Sequence, residues 1–145
     1  MAWPCQRAAQ FTDKKQGINI MFDTLRIGQK AKESKKFTPV HPDEEIGTSH
    51  GISLNLCGKH STEYRNAIAK MIKRTKGKTL NTDESIRESA RLIVDCCDGW
   101  EGVTDEAGKP VKFDKDKLTG HLIDDDFRWM RLQAETFMQA DDNFF

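Results

Sequence analysis

The segment 100–113, Trp-Glu-Gly-Val-Thr-Asp-Glu-Ala-Gly-Lys-Pro-Val-Lys-Phe, constrains the fold more than any other part of the chain. Its apolar face is formed by Val103, Val111 and Phe113. Gly108 can take a positive φ at no steric cost, which suits a turn between the two halves of the segment. Pro110 cannot donate to a strand ladder, so the pairing belongs at an edge or beside the turn. The segment therefore predicts a small hairpin between two helices.

Two strands are predicted upstream of this hairpin, over residues 37–41 and 51–57. In the second strand apolar and polar residues alternate, which is typical of a strand with one buried face. The apolar positions are Ile52, Leu54 and Leu56. The loop 42–50 joins the two strands and favours an antiparallel pair, and Pro39 places the first strand at an edge.

Four helices are predicted from caps and apolar spacing. Ser61 caps a helix that runs to about residue 74, with an apolar stripe at Tyr64, Ile68, Met71 and Ile72. Asn81, followed by Glu84 in a capping-box arrangement, begins a second helix. Its stripe is Ile86, Ala90, Ile93, Val94 and Cys97. Asp114 caps a short third helix, and residues 124–126 open the last one, where negative charge favours the N-terminal dipole.

These elements predict an α+β fold that is mostly helical. It has an N-terminal antiparallel strand pair, two helices, a small hairpin and then two C-terminal helices. A chain of 145 residues fits one domain. Residues 1–20 show no clear period and residues 22–36 form at best a marginal helix, so residues 1–36 are predicted to form a peripheral or flexible N-terminal segment. Residues 37–145 are predicted to form the domain.

Charge is unevenly distributed although the formal net charge is zero. Residues 1–79 carry 15 Lys and Arg against 7 Asp and Glu, whereas residues 80–145 carry 8 against 16. This asymmetry can favour head-to-tail self-association, so a homo-oligomer is one expectation. It can equally attract a charged partner, or reflect two solvated faces of one domain.

The carboxylate and histidine residues do not form a catalytic pattern. The chain has no GxxxxGK[ST], GxSxG or HExxH motif. Asp124, Asp125 and Asp126 are consecutive, so their side chains point in different directions, as in an N-terminal cap cluster. His121 beside them could act as a general base, but a lone surface histidine is the simpler interpretation. We expect no enzyme activity, no catalytic residue and no cofactor.

The cysteines and histidines do not match a known metal spacing either. The four cysteines include no CxxC pair, and the cluster His41, His50, Cys57 and His60 fits no recognised ligand pattern. We therefore expect no metal and free thiols in a reducing cytosol. The chain shows no apolar run of roughly 20 residues and no signal-peptide core, so no membrane association is expected.

Residues 59–78 carry seven positive side chains and only Glu63 as a negative one. A basic helix of this kind can line a phosphate backbone, which makes a nucleic-acid-binding accessory protein an alternative function. Its one aromatic residue, Tyr64, falls on the predicted core face, and no base-reading motif follows. A solvated basic face is the better interpretation, so nucleic acid is not an expected partner.

The C-terminal region carries more apolar side chains than a core of this size needs. Trp129 and Leu132 lie off the apolar stripe of the last helix, and the chain ends in two phenylalanines. Aromatic anchors rimmed by charge are typical of interaction surfaces, although a second layer of packing could instead cover them. The predicted partner-binding residues are Phe127, Trp129, Met130, Leu132, Phe137, Phe144 and Phe145.

The order of motifs from residue 38 to residue 145 resembles the tail assembly chaperones of long-tailed, siphovirus-type bacteriophages. Gly58, Ser61 and Tyr64-Arg65 resemble the family's entry from a strand into a basic helix. Residues 99–113 resemble its hairpin of Trp, Gly-Val, acidic-Gly, Val and Phe. A short helix, a last helix and a terminal Asn143-Phe144 complete the likeness. Two departures are Asp114 in place of a capping Ser, and the absence of a counterpart for the residues before Thr38.

The resemblance implies a non-enzymatic chaperone in the cytoplasm of the infected host. Such a protein binds the tape measure protein, keeps it soluble and promotes assembly of the tail tube protein around it. It is absent from the mature virion, and a longer form often arises by translational frameshifting. A structural tail or connector subunit is the remaining alternative.

Overall fold

A three-stranded antiparallel sheet organises the computed structural model, which describes residues 33–145. The strands are β1 (Lys35–Phe37), β2 (Ser53–Leu56) and β3 (Cys97–Glu101), in the order β1-β2-β3. The predicted peripheral character of residues 1–32 lies outside the described residues. The predicted boundary at residue 36 falls inside β1, because Lys35 and Lys36 pair with β2.

Strand β2 is the central strand because it pairs with β1 on one side and β3 on the other, and its apolar residues are enclosed. Leu54 and Leu56 are 1% and 0% exposed, and Leu54 pairs with Phe37 on one side and Trp100 on the other. The antiparallel pairing of β1 with β2 confirms the predicted strand pair. Both strands are shorter than predicted, and β1 begins two residues earlier, because the chain leaves the sheet before Pro39.

The predicted hairpin at residues 100–113 is reduced to a turn that follows a third strand. Residues 97–101 pair with β2 instead, with Asp98 as an extra residue that forms a bulge. Beyond β3 a bridge between Thr104 and Pro110 remains, and Gly108 has the expected positive φ of 78°. Gly102 also has a positive φ, and an added Cβ would meet the Gly51 carbonyl oxygen, so glycine is required there.

The four helices are α1 (Thr62–Thr75), α2 (Thr82–Asp95), α3 (Lys115–Ile123) and α4 (Arg128–Gln139). The side chains of Ser61, Asn81 and Asp114 accept backbone N–H bonds at the first three N-termini, as predicted. A 3-10 turn over Asp125–Phe127 precedes α4, so the last helix begins four residues later than predicted. A second 3-10 turn, Asp141–Asn143, follows it. The mostly helical α+β prediction is confirmed.

Helix α2 lies at the centre of the packing and contacts α1, α3, α4 and β3. Two predicted stripes differ in detail. Ile72 of α1 is 59% exposed, whereas Ala67 is the residue that α1 buries. Cys97 is buried as expected but lies in β3, because α2 ends at Asp95. No helix within residues 33–145 is long and apolar enough to cross a membrane.

Candidate functional site

An open apolar depression of about 450 Å³ runs between the segment after β1 and helix α4. We call it the α4 groove; its lining residues are Phe37, Thr38, Val40, Leu132, Gln133, Thr136 and Phe137. Val40 and Leu132 are 51% and 44% exposed, and both line this one depression. The groove therefore offers an apolar surface that packing within residues 33–145 leaves uncovered.

Two hydrogen bonds between a glutamine side chain and the backbone of Val40 join the two walls of the α4 groove. The Gln133 side chain accepts from the Val40 N–H through Oε1 and donates through Nε2 to the Val40 carbonyl oxygen, each at 2.7 Å. This side chain thus pairs with Val40 as a neighbouring strand would. The rings of Phe37 and Phe137 lie 5.1 Å apart beneath it. The groove is consequently built from elements almost a hundred residues apart in sequence.

The C-terminal segment adds a third ring, that of Phe144, to the pair formed by Phe37 and Phe137. The Phe144 ring packs against Phe137 with centroids 5.4 Å apart, and a Cβ on Gly58 would lie 2.7–2.9 Å from its ring carbons. Phe144 is 5% exposed. The neighbouring Asp141 carboxylate contacts the His60 ring at 3.0 Å, so the segment is held by polar contacts as well.

The structure divides the predicted partner-binding residues among three environments. Leu132 and Phe137 line the α4 groove, and Trp129 lies beside it with its ring 4.9 Å from that of His41. Phe127 and Met130 line a different depression on the opposite side of α4, and Met130 is buried. Phe144 is buried, so its side chain serves packing, whereas Phe145 is 50% exposed.

The second depression, which we call the Trp100 pocket, has a volume of about 130 Å³. It is lined by Ile52, Leu54, Trp100, Val103, Leu118, His121, Phe127 and Met130. Trp100 is held by a bond from its Nε1 to the Val111 carbonyl oxygen and by an edge contact with Phe113. The contact between Trp100 and Phe113, which bound the predicted hairpin, thus fixes one wall of this pocket.

Sequence reasoning missed the β1 side of the α4 groove. Phe37 and Val40 were both predicted to lie in the first strand, over residues 37–41, and nothing in the sequence connects either with α4. Gln133 gave no signal because a helical glutamine is ordinarily a solvated residue. Leu132 was found because it lies off the apolar stripe of its helix, a local property that one segment shows by itself.

Two cations of the basic stretch 59–78 are occupied by ion pairs. Arg74 Nη2 lies 2.6 Å from Glu88 Oε2, and Lys59 Nζ lies 3.6 Å from Asp141 Oδ1. The hydrogen bond from Arg74 lowers the pKa of the Glu88 carboxyl, against the opposing effect of burial. The other cations form no ion pair with any residue of 33–145 and are Arg65, Lys70, Lys73, Lys76 and Lys78.

The three histidines and the cysteine of the cluster His41, His50, Cys57 and His60 have separate roles. His50 bonds to the Pro39 carbonyl oxygen at 2.7 Å, His41 packs on Trp129, and His60 meets Asp141. Cys57 is buried in the core. Within residues 33–145 no group of three or more His, Cys, Asp or Glu side chains could hold a metal ion.

The three described thiols lie in the core beside one another in the fold. The Cys57 N–H donates to the Cys96 carbonyl oxygen at 2.9 Å, and Cys97 follows directly. Burial raises the pKa of Cys57 to about 11, of Cys96 to about 12 and of Cys97 to about 11. All three are free thiols, and their raised pKa values make them poor nucleophiles near neutral pH.

Comparison of the chain with protein-family models, with curated proteins and with solved structures gave no match.

Proposed function

We propose that this protein is a tail assembly chaperone of a long-tailed bacteriophage. It binds the tape measure protein in the host cytoplasm, keeps it soluble and promotes assembly of the tail tube protein around it. It leaves before the virion is complete. The resemblance of residues 38–145 to that family supports this proposal, and the α4 groove is the observation that carries it at the level of residues.

The α4 groove suits an apolar client more than a small polar ligand. Its lining surface is mostly apolar, and the exposed side chains of Val40 and Leu132 come from its two walls, the segment after β1 and helix α4. An amphipathic helix docks into such a groove through side chains one turn apart. A tape measure protein is a long helical client, so repeated weak contacts of this kind would keep its apolar stripe covered until the tube replaces them.

Co-expression with a tape measure fragment tests this proposal. We expect the chain to raise the amount of soluble fragment, and Leu132→Asp to weaken binding at least about tenfold, a loss of about 1.4 kcal/mol, because it places a charge in an apolar contact. The matched control is Ile72→Asp, which changes an exposed aliphatic residue on α1, away from the groove. Equal loss of solubilisation in both variants, or none in Leu132→Asp, would contradict the proposal.

The fate of the protein after assembly separates a chaperone from a structural subunit. We expect mass spectrometry of purified virions to find the tail tube and tape measure proteins without this chain. Stoichiometric amounts in the virion would instead support a tail or connector subunit. A nucleic-acid function predicts DNA binding with a steep salt dependence that disappears on charge reversal at Lys70 and Lys73.

A further inference from the structure

A third depression, of about 390 Å³, lies between the end of α1 and helix α2, and it is polar and basic. We call it the basic cleft; it is lined by Arg74, Thr75, Lys78, Leu80, Glu84, Arg87, Glu88 and Arg91. Four of these side chains are cationic and two are anionic, so the lining carries a net positive charge. The four residues of α2 recur at a helical spacing, which places them on one face.

Glu88 fixes two of the guanidinium groups that line the basic cleft. The Glu88 side chain is buried, with 7% of the residue exposed. Its carboxylate accepts hydrogen bonds from Arg74 Nε at 3.3 Å, from Arg74 Nη2 at 2.6 Å and from Arg91 Nη1 at 3.0 Å. One carboxylate thus holds two cations in place, and a positive excess remains. Lys78 and Arg87 form no ion pair with any residue of 33–145. The basic cleft therefore combines a net positive charge with two guanidinium groups held in place, which suits it to attract carboxylates.

The same chain carries a matching acidic segment. Asp124, Asp125 and Asp126 are exposed between α3 and α4, and none of them forms an ion pair within residues 33–145. We propose that the basic cleft of one copy binds the acidic segment 124–126 of a second copy.

Charge distribution over the whole chain favours a second copy over a nucleic acid. The formal net charge is zero, because a basic half is offset by an acidic half of equal charge. A polyanion would gain from the basic cleft but would be repelled by the acidic half, whereas a second copy satisfies both. The contact joins two different surfaces, so one copy of a pair keeps its acidic segment free and the other keeps its basic cleft free, and association continues head to tail.

Sedimentation velocity of charge-reversed variants tests this contact. We expect the wild-type chain to associate at about 50 mM salt and to dissociate at about 300 mM, where exposed charges are screened. Arg87→Glu and Asp125→Lys should each weaken self-association at least about tenfold. Neither residue belongs to the Glu88 network or to a cap bond, so both variants should fold. Matched controls are Lys112→Glu and Glu106→Lys, which change the same charges at the turn after β3.

Mixing the two variants gives the decisive result. Arg87→Glu copies keep an intact acidic segment, and Asp125→Lys copies keep an intact basic cleft. A head-to-tail contact therefore predicts that the equimolar mixture associates more strongly than either variant alone, because the intact cleft meets the intact segment and the two reversed surfaces also carry opposite charges at the exchanged positions. A wild-type chain that is monomeric at low salt, variants that associate like wild type, or a mixture that associates no more than either variant alone would each overturn the proposal. Client solubilisation is measured separately, so its failure is distinguishable from failure of this contact.

Discussion

The absence of a Cβ at Gly58 makes room for the Phe144 ring of the C-terminal segment. An alanine Cβ there would lie 2.7–2.9 Å from three carbons of the Phe144 ring, closer than van der Waals contact allows. We expect Gly58→Ala to displace Phe144 and to lower the free energy of unfolding by about 1–3 kcal/mol, as overpacking does. Urea denaturation measures the change.

Gly120→Ala is the matched control, because an added Cβ in this helical position of α3 meets no atom within 4 Å. It should be neutral or should stabilise the protein by up to about 1 kcal/mol. Equal destabilisation by both substitutions would mean that the contact between Gly58 and Phe144 is not the cause.

At the level of elements, the Gln133 side chain joins the segment after β1 to α4. Its two 2.7 Å bonds protect the Val40 amide and set the width of the α4 groove. We expect Gln133→Ala to speed hydrogen exchange at the Val40 N–H by about tenfold or more, which corresponds to the loss of roughly one net hydrogen bond.

Gln139→Ala provides the comparison for this effect on the same helix. The Gln139 amide donates to the Tyr64 hydroxyl at 2.8 Å and does not touch the groove. Exchange at Val40 should stay at the wild-type rate in this variant. An unchanged rate in Gln133→Ala would mean that other contacts hold the two walls together.

The elements that sequence reasoning predicted correctly are those defined by neighbouring residues. The caps at Ser61, Asn81 and Asp114 each act over three residues, so a short window contains all the information. Strand β3 was missed because Asp98-Gly99 is typical of a helix end and because its pairing with β2 spans more than forty residues. Only one wall of the α4 groove was predicted, for the same reason. The position of Leu132 off the apolar stripe shows within its own helix, whereas the approach of Val40 to α4 depends on residues far apart in sequence.

For the whole molecule, the buried thiols predict how stability depends on pH. The thiol of an unfolded cysteine has a pKa of about 8.5, whereas burial raises the pKa of Cys96 to about 12 in the folded state. The unfolded state therefore loses protons first as pH rises, and the free energy of unfolding should fall above about pH 8.5. Urea titrations between about pH 7 and 10 measure this slope.

A Cys96→Ala variant should show a shallower alkaline slope, because one of the raised pKa values is gone. The three thiols should also stay unreactive toward a thiol reagent at neutral pH and become reactive together on unfolding, with Cys5→Ser as background. Rapid labelling of Cys57, Cys96 or Cys97 in native buffer would contradict the burial described above.

The position of β2 between β1 and β3 has a consequence for synthesis on the ribosome. Strand β1 and helices α1 and α2 are all made before residues 97–101, so the nascent chain carries a central strand with one open edge until β3 emerges. An uncovered strand edge is a template for pairing between chains. Translation that stops before Cys97 would therefore release fragments with an aggregation-prone edge, whereas fragments that extend past Glu101 can close the sheet.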